Sequence, residues 1–404
     1  MSGSETLSGM AIAAPPRNRW LRLAIRAAEA IRAGQLTLVL PDGTSHRVVR
    51  GEAPAATIAL RDARAVRKLI LGGSLGLAEA YIEGLWESPD IRAVMALAAT
   101  NEREWLAMLN GRPWMRALAR LAHRLRPNTR RGATRNIVEH YDLGNDFYAA
   151  WLDPTMTYSS ALFAPGDNSL ESAQRRKIHR LLDRLALRPG MRLLEIGCGW
   201  GALAEIAARD YGVCVTGVTL SPSQLAYGCE RIARAGLTDR VSLQLCDYRD
   251  VQENFDAIVS AEMFEAVGEA YWPEFFRTLR ERLAPGGRAH LQVITIADHL
   301  FENYRSTADF IQRHVFPGGM LPCPARLREE VSRAGLAWRE AFWFGQDYAA
   351  TLAHWNEAFQ ATWPRLASGR RDARFKRLWD YYLAYCETGF RAGWTDVGQI
   401  LLAG

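Results

Sequence analysis

Cysteine is scarce in this sequence and shows no pairing pattern. The six cysteines are spread from Cys198 to Cys386, with no C-x-x-C pair and no cluster with histidine. Structural zinc sites need closely spaced cysteines and histidines, and disulfide scaffolds show regular cysteine spacings. We therefore expect no metal site and no disulfide framework, and we expect the thiols to be reduced.

Long apolar runs are also missing. No uninterrupted stretch reaches the roughly 18 residues that a transmembrane helix needs, and residues 1–16 lack the apolar centre of a secretory signal. The sequence thus predicts a cytoplasmic protein that is at most peripherally associated with the inner face of the cell membrane. Hydrophobic residues nevertheless make up 49% of the 404 residues. This content excludes disorder, and the length predicts two domains.

Acidic residues are absent from one basic segment. No Asp or Glu occurs between Trp105 and Val138, although the net charge of the whole chain is only +6. The segment carries eight arginines: Arg112, Arg116, Arg120, Arg124, Arg126, Arg130, Arg131 and Arg135. At about 100° per residue, the first four lie opposite an apolar stripe that begins at Trp114 and ends at Leu125. Two interpretations stay open: a solvated linker helix, or an interfacial helix that binds anionic phospholipid.

Nucleic acid is not expected as a partner of this basic segment. Few aromatic residues interleave its arginines, and no recognised nucleic-acid module occurs in the chain. The anionic surface of a phospholipid membrane is the expected polyanion.

The order of predicted elements divides the chain into three parts. A helix over 18–34, a β-hairpin around Pro41-Asp42-Gly43, a helix over 66–85 broken by Gly72-Gly73 and a helix over 89–110 come first. Beyond Gly190, β-branched strands alternate with helices, and residues 336–344 and 394–402 are predicted as final strands around an aromatic-rich helical segment, 347–388. This alternation predicts an α/β fold with a mostly parallel sheet. We expect a small α+β domain over 1–110, a basic linker over 111–133 and a catalytic domain over 134–404.

A glycine-rich loop follows the first predicted strand of the α/β domain. Leu193-Leu194-Glu195-Ile196 runs into Gly197, Gly199 and Gly201, and a predicted helix comes next. Glycine lets the backbone turn sharply and approach a ligand closely. A dinucleotide site would have its third glycine one position later. The spacing, with an acid two residues before the first glycine, resembles the class I methyltransferases, which have a Rossmann-like fold and bind S-adenosylmethionine.

That resemblance implies further cofactor contacts. The glycine loop is expected to accommodate the methionine part of the cofactor. Glu195, the acid before the loop, is also expected to bind the cofactor. Thr219 and Gln224 are expected to hydrogen-bond the ribose, because the acid that the class often carries there is missing. Asp247 is placed to accept from the adenine amino group, with Tyr248 beside the ring. An ordinary turn aspartate is the competing interpretation of Asp247.

Several further segments resemble the cyclopropane-fatty-acyl-phospholipid synthase family, which includes the mycolic acid synthases. They are residues 75–86, 140–148, 152–160, 170–174, 263–265, 315–319, 344–348 and 353–355, so the resemblance covers nearly the whole chain. It implies transfer of a methyl or methylene group to the cis double bond of an unsaturated phospholipid acyl chain, giving a cyclopropane through a carbocation. It also implies a homodimer.

The resemblance implies a bicarbonate ion that takes the proton from the carbocation, held by a glutamate, a tyrosine, a histidine and backbone groups. Glu265 and Tyr348 match the glutamate and the tyrosine. Tyr158 and Ser159 match positions that close over the cofactor, and Ser160 stands where many members have cysteine.

Two departures affect the bicarbonate site. Gln292 stands where a histidine usually binds the anion, and Ala266 replaces a histidine beside Glu265. Glutamine donates a hydrogen bond but carries no charge and shuttles no proton. The product is therefore open between a cyclopropane and a methyl- or methylene-branched chain. A methyltransferase for a soluble acceptor and a non-catalytic lipid-binding protein are the other hypotheses.

Overall fold

The computed structural model describes residues 17–109, 143–167, 169–306, 309–369 and 371–404. The basic linker predicted over 111–133 lies outside these residues, as do residues 140–142 of the family resemblance. The described residues form two compact units, one within 1–113 and the other within 114–404. Within the described part, no helix has both the length and the apolar character needed to span a membrane.

The first unit packs helices with a four-stranded sheet of order β2-β1-β3-β4. Its elements are α1 (Arg19–Glu29), β1 (Gln35–Val39), β2 (Ser45–Val49), β3 (Ala55–Leu60), α2 (Arg64–Ile82), β4 (Trp86–Glu87), α3 (Ile91–Thr100) and α4 (Glu102–Leu109). The predicted hairpin is confirmed, because β1 and β2 pair in antiparallel fashion. The predicted interruption of α2 is also confirmed, at Gly73, whose backbone is not helical. Strand β3 was not predicted, because its alanine-rich sequence has weak strand propensity.

The helix predicted over 89–110 is in fact two helices that meet at Asn101. The Asn101 side chain is fully buried and accepts from the backbone N–H groups of Arg32 at 2.6 Å and Ala33 at 3.1 Å. Its amide nitrogen donates to the carbonyl oxygens of Ala33 and Leu97, both at 3.0 Å. The break therefore arises because one side chain satisfies a distant loop, which helix periodicity does not reveal.

Replacing Asn101 with alanine should destabilise the first unit by about 2 kcal/mol, because it leaves the partly buried backbone N–H groups of Arg32 and Ala33 without their hydrogen-bond acceptor. Thr100→Ala is the matched control, since the exposed Thr100 hydroxyl donates within its own helix, to the Ala96 carbonyl oxygen. Urea unfolding, with amide hydrogen exchange to localise the change, measures the difference. Equal losses in the two variants would contradict the assigned role of Asn101.

The second unit contains a seven-stranded sheet of order β10-β11-β9-β8-β5-β6-β7. Its elements are α5 (Asn145–Ala149), α6 (Leu170–Asp183), β5 (Arg192–Ile196), α7 (Ala202–Tyr211), β6 (Cys214–Thr219), α8 (Pro222–Arg234), β7 (Val241–Leu245), β8 (Phe255–Ala261), α9 (Trp272–Arg282), β9 (Leu283–Ile296), α10 (Asp298–Ser306), α11 (Phe310–His314), α12 (Pro324–Arg333), β10 (Ala337–Trp343), α13 (Gly345–Leu366), α14 (Ala373–Arg391) and β11 (Thr395–Ala403). Strands β5 to β9 are parallel, and β11 runs antiparallel to both of its neighbours. The mostly parallel sheet and the two final strands are confirmed.

Helices cover both faces of this sheet. Successive residues of β5 point to opposite faces, so Leu194 packs in a cluster with Phe275 of α9, whereas Leu193 packs in a second cluster with Leu181 of α6 and Ile206 of α7. Parallel strands end at the same edge of the sheet, and the loops after β5, β6 and β8 therefore meet there. That edge carries the candidate active site.

Candidate active site

The loop after β5 adopts the sharp turn that its glycines predict. Gly197, Gly199 and Gly201 have φ angles of 83°, 50° and 83°, in the left-handed region that favours glycine. The N–H groups of Gly197 and Cys198 both donate to the carbonyl oxygen of Val218, at 2.9 and 3.0 Å. The loop is thus tied to the end of β6.

Gly197 and Gly199 differ in the space that a Cβ atom would occupy. A Cβ atom at Gly197 would lie 2.9 Å from Cγ of Met263, so no side chain fits there. A Cβ at Gly199 would meet nothing within 4 Å among the described residues, so this part of the loop faces open space. A backbone that turns tightly beside open space fits a ligand lying against it.

Glu195 supplies a buried acid behind the same loop. Burial raises the pKa of Glu195 well above its usual value, although the Ala204 N–H and the charge of Lys177 act in the opposite direction. Its Oε2 atom is buried and makes no hydrogen bond within the described residues. A polar cofactor group would satisfy such an acceptor, so Glu195 and the glycine loop fit the predicted cofactor.

Thr219 and Gln224 come together at the end of β6. The Thr219 hydroxyl donates to Oε1 of Gln224 at 3.2 Å, and both side chains are buried. The structure thus pairs the two residues, and their contact with the ribose stays a prediction.

Asp247 is held by an arginine that sequence reasoning missed. Nε of Arg249 donates to its Oδ1 at 2.8 Å, and Nη2 of Arg249 donates to its Oδ2 at 2.6 Å. A carboxylate oxygen accepts more than one hydrogen bond, so the predicted contact with adenine remains open to Asp247. Tyr248 packs in the hydrophobic core, with its ring edge-on to that of Phe275 at a centroid distance of 5.4 Å. This packing was not predicted, and the expected place of Tyr248 beside adenine stays a prediction.

Tyr158 and Ser159 are anchored by residues far away in the sequence. The hydroxyls of Tyr158 and Tyr382 lie 2.8 Å apart. Nζ of Lys177 donates to Oγ of Ser159 at 2.5 Å, and Gln174 donates to the Ser159 carbonyl at 2.8 Å. The structure therefore fixes this segment against α6 and α14, and closure of the segment over the cofactor remains predicted.

Lys177 is a buried cation that sequence reasoning also missed. Burial lowers its pKa to about 8, against the opposing charges of Glu262, Asp153 and Glu195. The signal was present, because Lys177 falls on the same stripe of α6 as the buried Ala173, Ile178 and Leu181.

Three predicted residues, Ser160, Gln292 and Tyr348, converge on a carboxylate that was not predicted. Oε1 of Glu262 accepts from the Ser160 N–H at 2.8 Å and from Nε2 of Gln292 at 2.8 Å. Oε2 of Glu262 accepts from the Tyr348 hydroxyl at 2.7 Å. The available signal was position: Glu262 directly follows β8, at the edge where sites of this fold gather.

Glu265 lies beside this cluster but is bound differently. Its Oε1 accepts from the backbone N–H of Ile294, and its Oε2 is buried without a hydrogen bond within the described residues. Burial, together with the negative charge of Glu262, raises the pKa of Glu265 to about 8. Ser160, Gln292 and Tyr348 thus donate to Glu262 and not to Glu265. An anion site shared by Glu265 with these three residues stays a prediction.

Aromatic rings connect the carboxylate cluster to the Tyr158 segment. The ring of Trp355 lies 6.1 Å from Tyr348, 5.2 Å from Tyr158 and 5.7 Å from Trp151. Tyr348 also packs on Phe390 at 4.4 Å. Aromatic faces attract positive charge without forming bonds to it, so this wall suits a reaction that develops a cation.

The mixed seven-stranded sheet and the glycine loop define a class I S-adenosylmethionine-dependent methyltransferase. A cyclopropane synthase structure from Mycobacterium tuberculosis is 33% identical, covers 67% of this chain and 98% of its own, and superposes with a TM-score of 0.64. A mycolic acid cyclopropane synthase complexed with SAH superposes with a TM-score of 0.63 at 33% identity over the same shares.

Sequence comparison then gives the family. Residues 128–400 match the family described as mycolic acid cyclopropane synthetase, and the chain belongs to it. It is 40% identical to a tuberculostearic acid methyltransferase of M. tuberculosis, over 90% of this chain and 86% of that protein. It is 35% identical to the cyclopropane-fatty-acyl-phospholipid synthase of Escherichia coli, over 88% and 89%.

The raised pKa of Glu265 predicts a specific pH dependence of stability. Between pH 4.5 and 8 the folded chain retains a proton on Glu265 that the unfolded chain has released. The free energy of unfolding should therefore fall across this range, by at most about 1.4 kcal/mol per pH unit from this group. Glu265→Gln should remove that component. The difference between the two proteins in urea unfolding isolates it, and parallel curves would contradict the assignment.

Proposed function

We propose that this enzyme transfers the methyl group of S-adenosylmethionine to a cis double bond in an unsaturated acyl chain of a membrane phospholipid. The observation that carries the proposal is the half-buried carboxylate of Glu262, with its three donors, beside the aromatic wall of Tyr348, Trp355 and Tyr158. An alkene is a weak nucleophile, and its methylation leaves a cation and then a proton to remove. The aromatic wall can stabilise the cation, and a carboxylate can accept the proton.

The chain's residues have separate roles in this reaction. S-adenosylmethionine, when bound, supplies an electrophilic methyl group. Glu195 and the loop from Gly197 to Gly201 hold the cofactor on the edge of the sheet, with Thr219, Gln224 and Asp247 along the neighbouring strands. The buried wall excludes water, which would otherwise add to the cation.

Two products are compatible with the same cation. A cyclopropane forms when loss of a proton closes a ring, and a methylene branch forms when it makes a double bond instead. The E. coli relative is named as a cyclopropane synthase, whereas the M. tuberculosis relative at higher identity is named as a methyltransferase. We propose the cyclopropane as the product, and the second relative favours a branched chain as the alternative.

Removal of the proton from the cationic acyl chain requires a base. The family resemblance implies bicarbonate, held by groups that include the Ser160 backbone, Tyr348 and the position of Gln292. Each of these three already donates to Glu262. In this arrangement the three donors therefore hold the Glu262 carboxylate.

We propose that the enzyme binds the anionic inner face of the cell membrane and takes its phospholipid substrate from there. In the described part of the first unit, α1 exposes Arg19, Arg22 and Arg26, and the arginine segment from Arg112 to Arg135 adds to this charge. Basic amphipathic segments bind anionic lipid through both charge and apolar contact. A homodimer remains part of the proposal on the family resemblance alone.

Transfer of label from S-adenosylmethionine to vesicles of monounsaturated phospholipid tests the proposed function. We expect label in the acyl chains and none when saturated lipid replaces the substrate. NMR of the released chains distinguishes a ring from a branch, which have the same mass. Glu265→Gln should retain cofactor binding but lose at least about 100-fold in turnover, because Glu265 belongs with Glu262 to the carboxyl pair that removes the proton. Label in a soluble amine or phenol but not in lipid would overturn the proposal.

Binding to anionic vesicles tests the role of the arginine segment. Replacing Arg112, Arg116, Arg120 and Arg124 with glutamine should weaken binding by roughly 100- to 1000-fold at low salt, at about 1 kcal/mol per arginine. The same four residues changed to lysine form the matched control, which retains the charge. Sedimentation with vesicles at increasing salt gives the measurement, and no binding at any salt would refute the membrane assignment.

A further inference from the structure

The Glu262 carboxylate has the contacts expected of a bound anion. It accepts three hydrogen bonds from donors in three separate parts of the chain: Ser160 before α6, Gln292 on β9 and Tyr348 on α13. Two oxygens on one planar carbon are common to a carboxylate and to bicarbonate. A covalently attached carboxylate therefore fills the position that a freely diffusing ion would need.

The backbone at Glu262 has an unusual conformation that places its side chain among these donors. Its φ angle is 53°, in the left-handed region that is unfavourable for a residue with a side chain. The Glu262 N–H donates to the carbonyl oxygen of Gln292 at 2.8 Å, so the same two residues are joined through backbone and side chain. Strain of this kind is maintained when surrounding contacts require it, and it concentrates at functional sites. Glycine would adopt this backbone without cost, so the side chain is the reason for strain here.

Nearby charges select Glu262 as the ionised member of the carboxyl pair. Burial raises the pKa of Glu262, but Lys177 and the hydrogen bonds from Tyr348, Gln292 and Ser160 all favour its charged form. Glu265 has one backbone donor and is disfavoured as an anion by Glu262 itself. Two close carboxyls titrate as a pair, and the single negative charge is better held on the one with more donors.

The position of Glu262 also suits contact with substrate. Its partner Tyr348 belongs to the aromatic wall through Trp355 and Phe390. A base at this point is next to the surface that would stabilise the acyl cation. A base at Glu262 has no need of Ala266 or Gln292 as a proton carrier, which accounts for the absence of histidine at both positions.

We propose that the Glu262 carboxylate replaces bicarbonate as the base of this enzyme, an inference that rests on the proposed methylation of an acyl double bond. The alkene π pair forms the bond to the methyl carbon, and the electron pair of the broken sulfur–carbon bond stays on sulfur. An oxygen of Glu262 then takes a proton from the new methyl group of the cationic chain, and the released C–H pair closes the ring. Glu262 ends as a carboxylic acid and loses the proton to water after product release.

Bicarbonate dependence tests the proposal in the unchanged enzyme. Turnover is measured in carbonate-free buffer under inert gas, with and without added millimolar bicarbonate. The wild type should show the same rate in both. A wild-type rate that collapses without bicarbonate and returns on its addition would overturn the inference while leaving the proposed function intact.

Two substitutions at Glu262 sharpen the test. Glu262→Gly suits the left-handed backbone and opens the space of the carboxylate, so turnover should fall by at least about 100-fold and be restored substantially by bicarbonate. Glu262→Gln fills the same space with a neutral amide, so it should be equally slow and should not be rescued. Rescue of both variants, or of neither while both still bind S-adenosylhomocysteine, would contradict the exchange of carboxylate for ion.

A binding measurement decides the position of the anion without relying on turnover. NMR with isotopically labelled bicarbonate should detect binding to Glu262→Gly and not to the wild type or to Glu262→Gln. Equal binding to the wild type and to Glu262→Gly would overturn the proposal. Absence of lipid labelling by the wild type in either buffer would instead contradict the proposed function, and the binding result would still decide whether Glu262 holds the anion position.

Discussion

The burial of negative charge at the carboxyl edge of the sheet is the constraint on which the active site depends. An isolated carboxylate transferred from water to the protein interior costs several kcal/mol. At Glu262 part of this cost is offset, because a backbone N–H, an amide and a phenol all donate to it and Lys177 lies near it. These partners come from separate elements, so satisfying one charge holds four segments of the chain together.

This arrangement determines what kind of chemistry the site can perform. The same burial that makes charge costly also makes each hydrogen bond strong and excludes water from a reactive cation. The aromatic wall around Trp355 then interacts with positive charge through its faces, without offering a lone pair that would trap it. A charged base and an apolar wall are therefore complementary parts of one site, and both suit the acyl chain proposed as substrate.

The predictability of the fold and of the site differed for physical reasons. Strands β5 to β9 and the hairpin of the first unit were predicted because each is encoded by a local pattern of apolar residues and turns. Strand β3 and the break at Asn101 were not, since one depends on pairing with β1 and the other on hydrogen bonds to residues 32 and 33. Local periodicity contains no information about such distant partners.

The sequence by itself determined the class of protein and indicated several candidate residues of its site. The loop from Gly197 to Gly201 indicated the cofactor, and the motifs around Ser160, Glu265 and Tyr348 indicated the family, because both signals consist of residue types at fixed spacings. Only the tertiary structure decided how these residues combine. The positions of Lys177 and Glu262 among them follow from helix α6 packing on the sheet and from the left-handed turn after β8. Glu262 and Glu265 are three residues apart, and the direction of the backbone decides which of them accepts these hydrogen bonds. The spacing of residues in the sequence does not contain that information.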